Sequence, residues 1–197
     1  ELEALKNVLL KHENVIVIAD EIYEHINYIG EHASMAMFDD IKDRVVIING
    51  VSKAYAMTGW RIGFIAAPEW IVKGCNKLQG QYTSGPCSVS QKAAEAAFAG
   101  DQQCVEDMRV AFERRKNLIV ELAKEIPGLE VNNPQGAFYL FPDVSAFFGK
   151  QYNGQTIHNA DEVVTYLLQE AHVACVSGSA FGEDNCIRFS YATSEDL

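Results

Sequence analysis

Gly50-Val51-Ser52-Lys53-Ala54-Tyr55-Ala56-Met57-Thr58-Gly59-Trp60-Arg61-Ile62-Gly63-Phe64 follows directly on the apolar run Val45-Val46-Ile47-Ile48, and its reading decides the fold. A continuous apolar run of this kind is the pattern of a strand covered on both faces, as in a parallel sheet. Ligands of open α/β folds sit at the carboxyl ends of such strands. Here that end delivers a serine and a lysine side by side. A lysine in that place can form an imine with an aldehyde. Ser52 adds a hydroxyl and Arg61 a planar fork that can bind phosphate oxygens bidentately. Gly59 and Gly63 let the backbone approach closely.

Upstream, Val15-Ile16-Val17-Ile18-Ala19 is a second run read as a strand buried on both faces, and it stops abruptly at Asp20-Glu21. An aspartate there can simply cap the next turn. Tyr23 lies three residues on, so one turn can aim both side chains into a pocket. Asp20 can then pair with a protonated pyridine nitrogen, and Tyr23 can donate to an oxygen on the same ring. Glu21 and Glu24 are expected to be exposed. Lys53 alone would pass for a solvated lysine. Asp20, Tyr23, Ser52, Lys53 and Arg61 in this order meet the requirements of an anchor for pyridoxal 5'-phosphate.

Composition excludes several function classes. With 197 residues, 48% hydrophobic and 22% charged, the chain is long enough to bury a core and too apolar to be disordered. A formal net charge of -11 argues against binding nucleic acid through its phosphates. The five cysteines, scattered and without a C-x-x-C pair, argue against a disulfide framework or zinc knuckle and fit a reducing compartment. The histidines show no metal-ligand spacing, so no metal is expected. No apolar run reaches membrane-spanning length, and the start ELEALKNVLLKHEN is a charged amphipathic helix. The expectation is a soluble cytoplasmic protein.

The remaining pattern places helices over Glu1–Lys11, Glu69–Leu78, Ser88–Phe98, Asp101–Glu125 and Ala160–His172, with Gly80–Pro86 as a loop. Further strands are expected over Arg61–Ala67, Leu129–Val131, Ala137–Phe141, Val173–Val176 and Cys186–Tyr191. The long charged helix reads as a bridge between two domains. Residues 1–100 are thus expected to be part of an α/β layer domain, and 101–197 the bridging helix and a small α+β domain. In the last strand Cys186, Arg188 and Ser190 share one face, opposite Ile187, Phe189 and Tyr191. An arginine in such an apolar strand needs an anionic partner, either a structural carboxylate or a ligand.

ADEIYEHINY, NGVSKAYAMTGWRIGFIAAP and CIRFSYATS together resemble the class I/II aminotransferases, fold-type-I pyridoxal-phosphate enzymes, and bacterial aspartate aminotransferases most of all. The likeness runs from end to end of the chain. It implies an α/β fold: part of the large cofactor domain with its mostly parallel sheet, then a small C-terminal domain. It implies ping-pong transfer of an amino group between an α-amino acid and an α-keto acid. Position by position, Lys53 matches the lysine that carries the cofactor and shuttles the proton, Asp20 the partner of the ring nitrogen, and Tyr23 the donor to the ring oxygen. Ser52 and Arg61 match phosphate ligands, and Arg188 the clamp on the substrate's α-carboxylate. Gly136-Ala137-Phe138-Tyr139 and Gly178-Ser179-Ala180-Phe181-Gly182 resemble small-domain elements near the substrate, for which turn chemistry is an equal account.

The resemblance also implies a longer protein, a homodimer, of which this chain is the C-terminal portion. The upstream half would bring backbone amides for the phosphate, a ring to stack on the pyridine and an asparagine, and a short helix would follow residue 197. The chain alone is accordingly expected to be inactive. A β-lyase of the same fold and a non-catalytic effector domain of an aminotransferase-like regulator are the alternative readings.

Overall fold

Helix α1 (Leu2–Leu9) leads into strand β1 (Val17–Asp20), and the computed structural model describes the chain from residue 1 to residue 195. Asp196 and Leu197, the last residues of the expected second domain, lie outside the described residues. Leu2 and Leu9 turn one face of α1 onto Met35, Ile41 and Val45. The turn that follows α1 is held from afar: Arg44 donates to the backbone oxygens of Leu9 (2.9 Å) and His12 (2.5 Å).

Strand β2 (Val45–Gly50) is central in a three-stranded sheet, parallel to β1 and antiparallel to β3 (Gly63–Ala66). Asp20 pairs with Ile48 and Gly50 with Gly63, so the carboxyl ends of β1 and β2 meet at one edge. The expectation that the Val15–Ala19 run is buried on both faces needs correction. β1 is an edge strand, and Ile18 is 67% exposed, because nothing among the described residues covers its outer face. β3 begins later than expected, since Arg61 takes a left-handed conformation (φ 54°, ψ 48°) that ends a 3-10 turn over Thr58–Trp60.

Helix α2 (Glu69–Tyr82) runs through the segment expected to be a loop from Gly80, and Thr83 closes it with a bond to the Gln79 carbonyl. Helix α3 (Ser88–Ala99) stops at Gly100, and α4 (Gln103–Lys124) follows. The chain separates into two compact units, Glu1–Arg109 and the remainder from Val110, so the division falls inside α4. The start of that helix belongs with the first unit: Val105 is buried, and Tyr55 donates to Gln102 at 2.6 Å.

In the second unit, β4 (Tyr139–Leu140) is much shorter than the expected strand. Ala137 has a positive φ (56°), and Pro142 has no N–H to extend a ladder. The expected strand at Leu129–Val131 is reduced to a single bridge, Glu130 to Asp143. Strands β5 (Gln151–Tyr152) and β6 (Gln155–Thr156) form a hairpin that the sequence reading missed. Its signal was present in Asn153-Gly154, both at positive φ (48° and 78°), the pair that suits a two-residue hairpin turn. Helix α5 (Ala160–Glu170) is capped by Asn159, which accepts from the Glu162 amide. Strands β7 (Val176–Ser177) and β8 (Ile187–Ser190) complete an antiparallel sheet in the order β4-β8-β7. Val144, Ala160, Val163 and Ile187 make its core. No helix among the described residues is long and apolar enough to cross a membrane.

Candidate functional site

The turn after β2 is set by its apolar members. Val51 and Ala54 are 0% and 3% exposed, which leaves Ser52 and Lys53 half-buried at the carboxyl edge of the sheet. Lys53 Nζ lies 5.6 Å from the centre of the Tyr23 ring, so the two residues proposed from sequence for the imine and the ring oxygen do come together. Asp20 stands at the end of the neighbouring strand. Its Oδ1 accepts from the Ile22 amide at 3.2 Å, and its carboxylate is exposed and pairs with no cation among the described residues. The loop from Asp20 to Ile26 is closed by backbone bonds from Glu21 to Ile48, Glu24 to Glu21, and Ile26 to Tyr23.

Arg61 is exposed and donates Nη1 to the Thr58 carbonyl at 3.0 Å. Its segment is pressed onto the end of β2. A Cβ on Gly50 would lie 2.7 Å from the Ile62 oxygen and 2.9 Å from Gly63 Cα. Glycine at position 50 therefore keeps the Arg61 loop against the strand that leads into Ser52 and Lys53.

Glu21 and Glu24 correct the expectation of exposure. Glu21 is 8% exposed and accepts from Ser34 Oγ (2.8 Å) and the Met35 amide (3.3 Å), with His32 Nε2 at 3.0 Å. Glu24, partly buried, accepts from the side-chain amide of Asn49 at 2.8 Å. These bonds offset the desolvation of the carboxylates. Nothing local could have revealed them, because the partners are distant in sequence. One ligand atom each of Glu21, Glu24 and His32 lie within 4.8 Å of one another, but both oxygens of Glu21 already have partners, so the cluster reads as a lock on this loop. Tyr55 is a second anchor: burial, then Cys104 and Glu24, push its phenol up, keeping it a neutral donor to Gln102.

Arg188 lies in the second unit on β8, the middle strand of its sheet. Its guanidinium carbon is 4.4 Å from the centre of the Tyr139 ring and 4.4 Å from that of Phe181. No carboxylate among the described residues pairs with it, and the two rings are its neighbours there instead. The rings belong to the two segments for which turn chemistry had been an equal account.

Comparison with known proteins agrees with this chemistry. The family model described as aminotransferase class I and II matches residues 1–197. The chain belongs to the class I and II aminotransferases. An aspartate aminotransferase of Geobacillus stearothermophilus is 47% identical over all of this chain and 49% of its own length. A bifunctional aspartate aminotransferase and glutamate/aspartate-prephenate aminotransferase of Petunia hybrida is 46% identical over 98% of this chain and 41% of its own. Among solved structures, an aspartate aminotransferase from Rhizobium meliloti superposes with a TM-score of 0.93 at 42% identity, covering 98% of this chain and 49% of that one. The fold is therefore that of these aminotransferases, and the chain spans about half the length of the relatives it matches.

Proposed function

We propose that the protein is a pyridoxal-phosphate-dependent aminotransferase that exchanges an amino group between an aspartate-type amino acid and a keto acid by a ping-pong mechanism. The observation that carries this is Lys53 beside Tyr23 at the carboxyl edge of the sheet, with the Asp20 carboxylate at the end of the adjoining strand. The donor set fits the cofactor: an amine, an exposed carboxylate without a cation among the described residues, a phenol, a hydroxyl, and an exposed arginine.

The cofactor, when bound, supplies an aldehyde and an electron-withdrawing ring. Lys53 would hold that aldehyde through its amine and, when released, would carry a proton on Nζ as the general acid and base. Asp20 would face the ring nitrogen and favour its protonated form, and Tyr23 would donate to the ring oxygen. Ser52 and Arg61 would hold the phosphate, and Arg188 would take the substrate's α-carboxylate. The reading extends to a homodimer, supported by the family likeness, and to the cytoplasm, supported by scattered cysteines that fit a reducing compartment.

The test is Lys53→Ala in the protein at its full natural length. The visible absorbance of a lysine–pyridoxal phosphate linkage and keto-acid-dependent turnover should both vanish. Turnover near the parent's would end the reading, and release of pyruvate and ammonia in place of amino transfer would favour a β-lyase.

A further inference from the structure

Two segments of the second unit each send one aromatic ring to Arg188. Tyr139 pairs with Ser190 across β4 and β8, which places it diagonally from Arg188 on the same face of the sheet, within reach of a long side chain. Phe181 arrives from the other side of β8. Arg188 pairs with Val176 on β7, and a 3-10 turn over Gly178–Phe181 follows that strand. The turn has little freedom. The Gly178 amide donates to the Cys186 carbonyl at 2.7 Å, and the Glu183 amide returns to the Gly178 carbonyl at 3.0 Å. A Cβ on Gly178 would collide with the backbone oxygens of Glu183 and Cys186. Gly182 closes the turn in a left-handed conformation (φ 79°). Phe141 then braces Phe181 edge-on, with ring centres 6.0 Å apart and planes at 87°.

We propose that Tyr139 and Phe181 are positioning residues: they hold the Arg188 guanidinium in place between two rings and so set how tightly it takes a planar carboxylate. The inference rests on the aminotransferase reading, in which that carboxylate is the substrate's. A guanidinium has five N–H donors, and two neutral rings at 4.4 Å from its central carbon do not occupy them as a bidentate carboxylate would. Neutral rings attract the cation without neutralising it, which a structural carboxylate in the same place would do. They also remove rotamer freedom before substrate arrives, so less is lost on binding. Phe181 is still 49% exposed, so its place is not explained by burial in the core.

The test uses Phe181→Leu and Tyr139→Leu in the protein at its full natural length, with Phe181→Tyr and Tyr139→Phe as conservative controls and Arg188→Ala as reference. The probe for binding without turnover is 2-methylaspartate, which has no α-hydrogen to lose. Each leucine variant should raise the KM for amino and keto acids, and the Kd of the probe, about 3- to 30-fold, the span from an exposed to a desolvated cation–π contact. Its kcat should stay within about 2-fold, the mark of lost uniform binding. The ring-preserving controls should stay near the parent. The slow reaction of a simple alkylamine, which has no carboxylate, should be unchanged in all four. Unchanged KM and Kd in Phe181→Leu, while Arg188→Ala weakens both, would overturn the positioning role alone. A parallel fall in the alkylamine reaction would also overturn it, by showing general damage. An Arg188→Ala variant with unchanged KM and Kd would overturn the carboxylate reading itself. If Tyr139→Leu fails to fold, half-exposed Phe181 decides the matter.

Discussion

Asn49, at the end of β2, donates its side-chain amide to Glu24 at 2.8 Å and accepts from the Gly50 amide at 2.7 Å. It is 7% exposed. One buried side chain thus ties the strand that leads to Lys53 to the loop that carries Tyr23. Asn49→Ala would take the side-chain acceptor from the buried Gly50 amide and one donor from half-buried Glu24, which keeps His25 beside it at 3.1 Å, and a loss of about 1 to 3 kcal/mol of stability is expected. Urea denaturation of parent and variant measures it, and an unchanged midpoint would show that the tie carries no weight.

Tyr23→Phe keeps the ring beside Lys53 and removes only the hydroxyl. Cofactor binding and its visible absorbance should survive in the protein at its full natural length. A hydrogen bond to a charged acceptor contributes about 1.5 to 3 kcal/mol, so kcat should fall about 10- to 100-fold. Steady-state kinetics beside an absorbance titration separate this outcome from simple loss of the cofactor.

Gly50 has no room for a side chain, since a Cβ would meet the Ile62 oxygen at 2.7 Å. Gly50→Ala should push the Arg61 segment off the end of β2 and destabilise by about 1 to 3 kcal/mol, as overpacking does. A thermal melt checks the stability. A weaker affinity for inorganic phosphate added as a competitor of the cofactor checks the displacement of Arg61.

Cys87 begins α3, and the backbone amides of Ser90 and Val89, with the Ser90 hydroxyl, hold its thiol below the ordinary range. Burial pushes Cys175 and Cys186 the other way, helped at Cys186 by Asp143 and Glu183. The thiolate is the reactive form. Under native conditions iodoacetamide should therefore modify Cys87 first and Cys175 and Cys186 last. Peptide mass spectrometry over time reads the order, and equal rates would contradict it.

Much of this was legible in the chain. The runs at Val45–Ile48 and Val15–Ala19, the Ala-rich segment of α3 and the long charged segment of α4 are local patterns, and the elements stand within two residues of where those patterns put them, β1 starting at Val17. The errors fall where one backbone conformation outweighs the pattern. Arg61 and Ala137 at positive φ shorten β3 and β4, and Asn153-Gly154 makes a hairpin out of polar residues.

By itself the sequence determined the family, because a lysine, a serine and an arginine at fixed spacing after an apolar strand is information carried within one short segment. Only the tertiary structure decided that Glu21 is buried and satisfied, that Asn49 reaches Glu24, and that Arg188 meets the faces of Tyr139 and Phe181 in place of a carboxylate. Each of these joins residues many positions apart. A side chain's charge state, freedom and partners are set by what lies within a few ångströms, and sheet pairing and turns bring those neighbours together from distant parts of the chain.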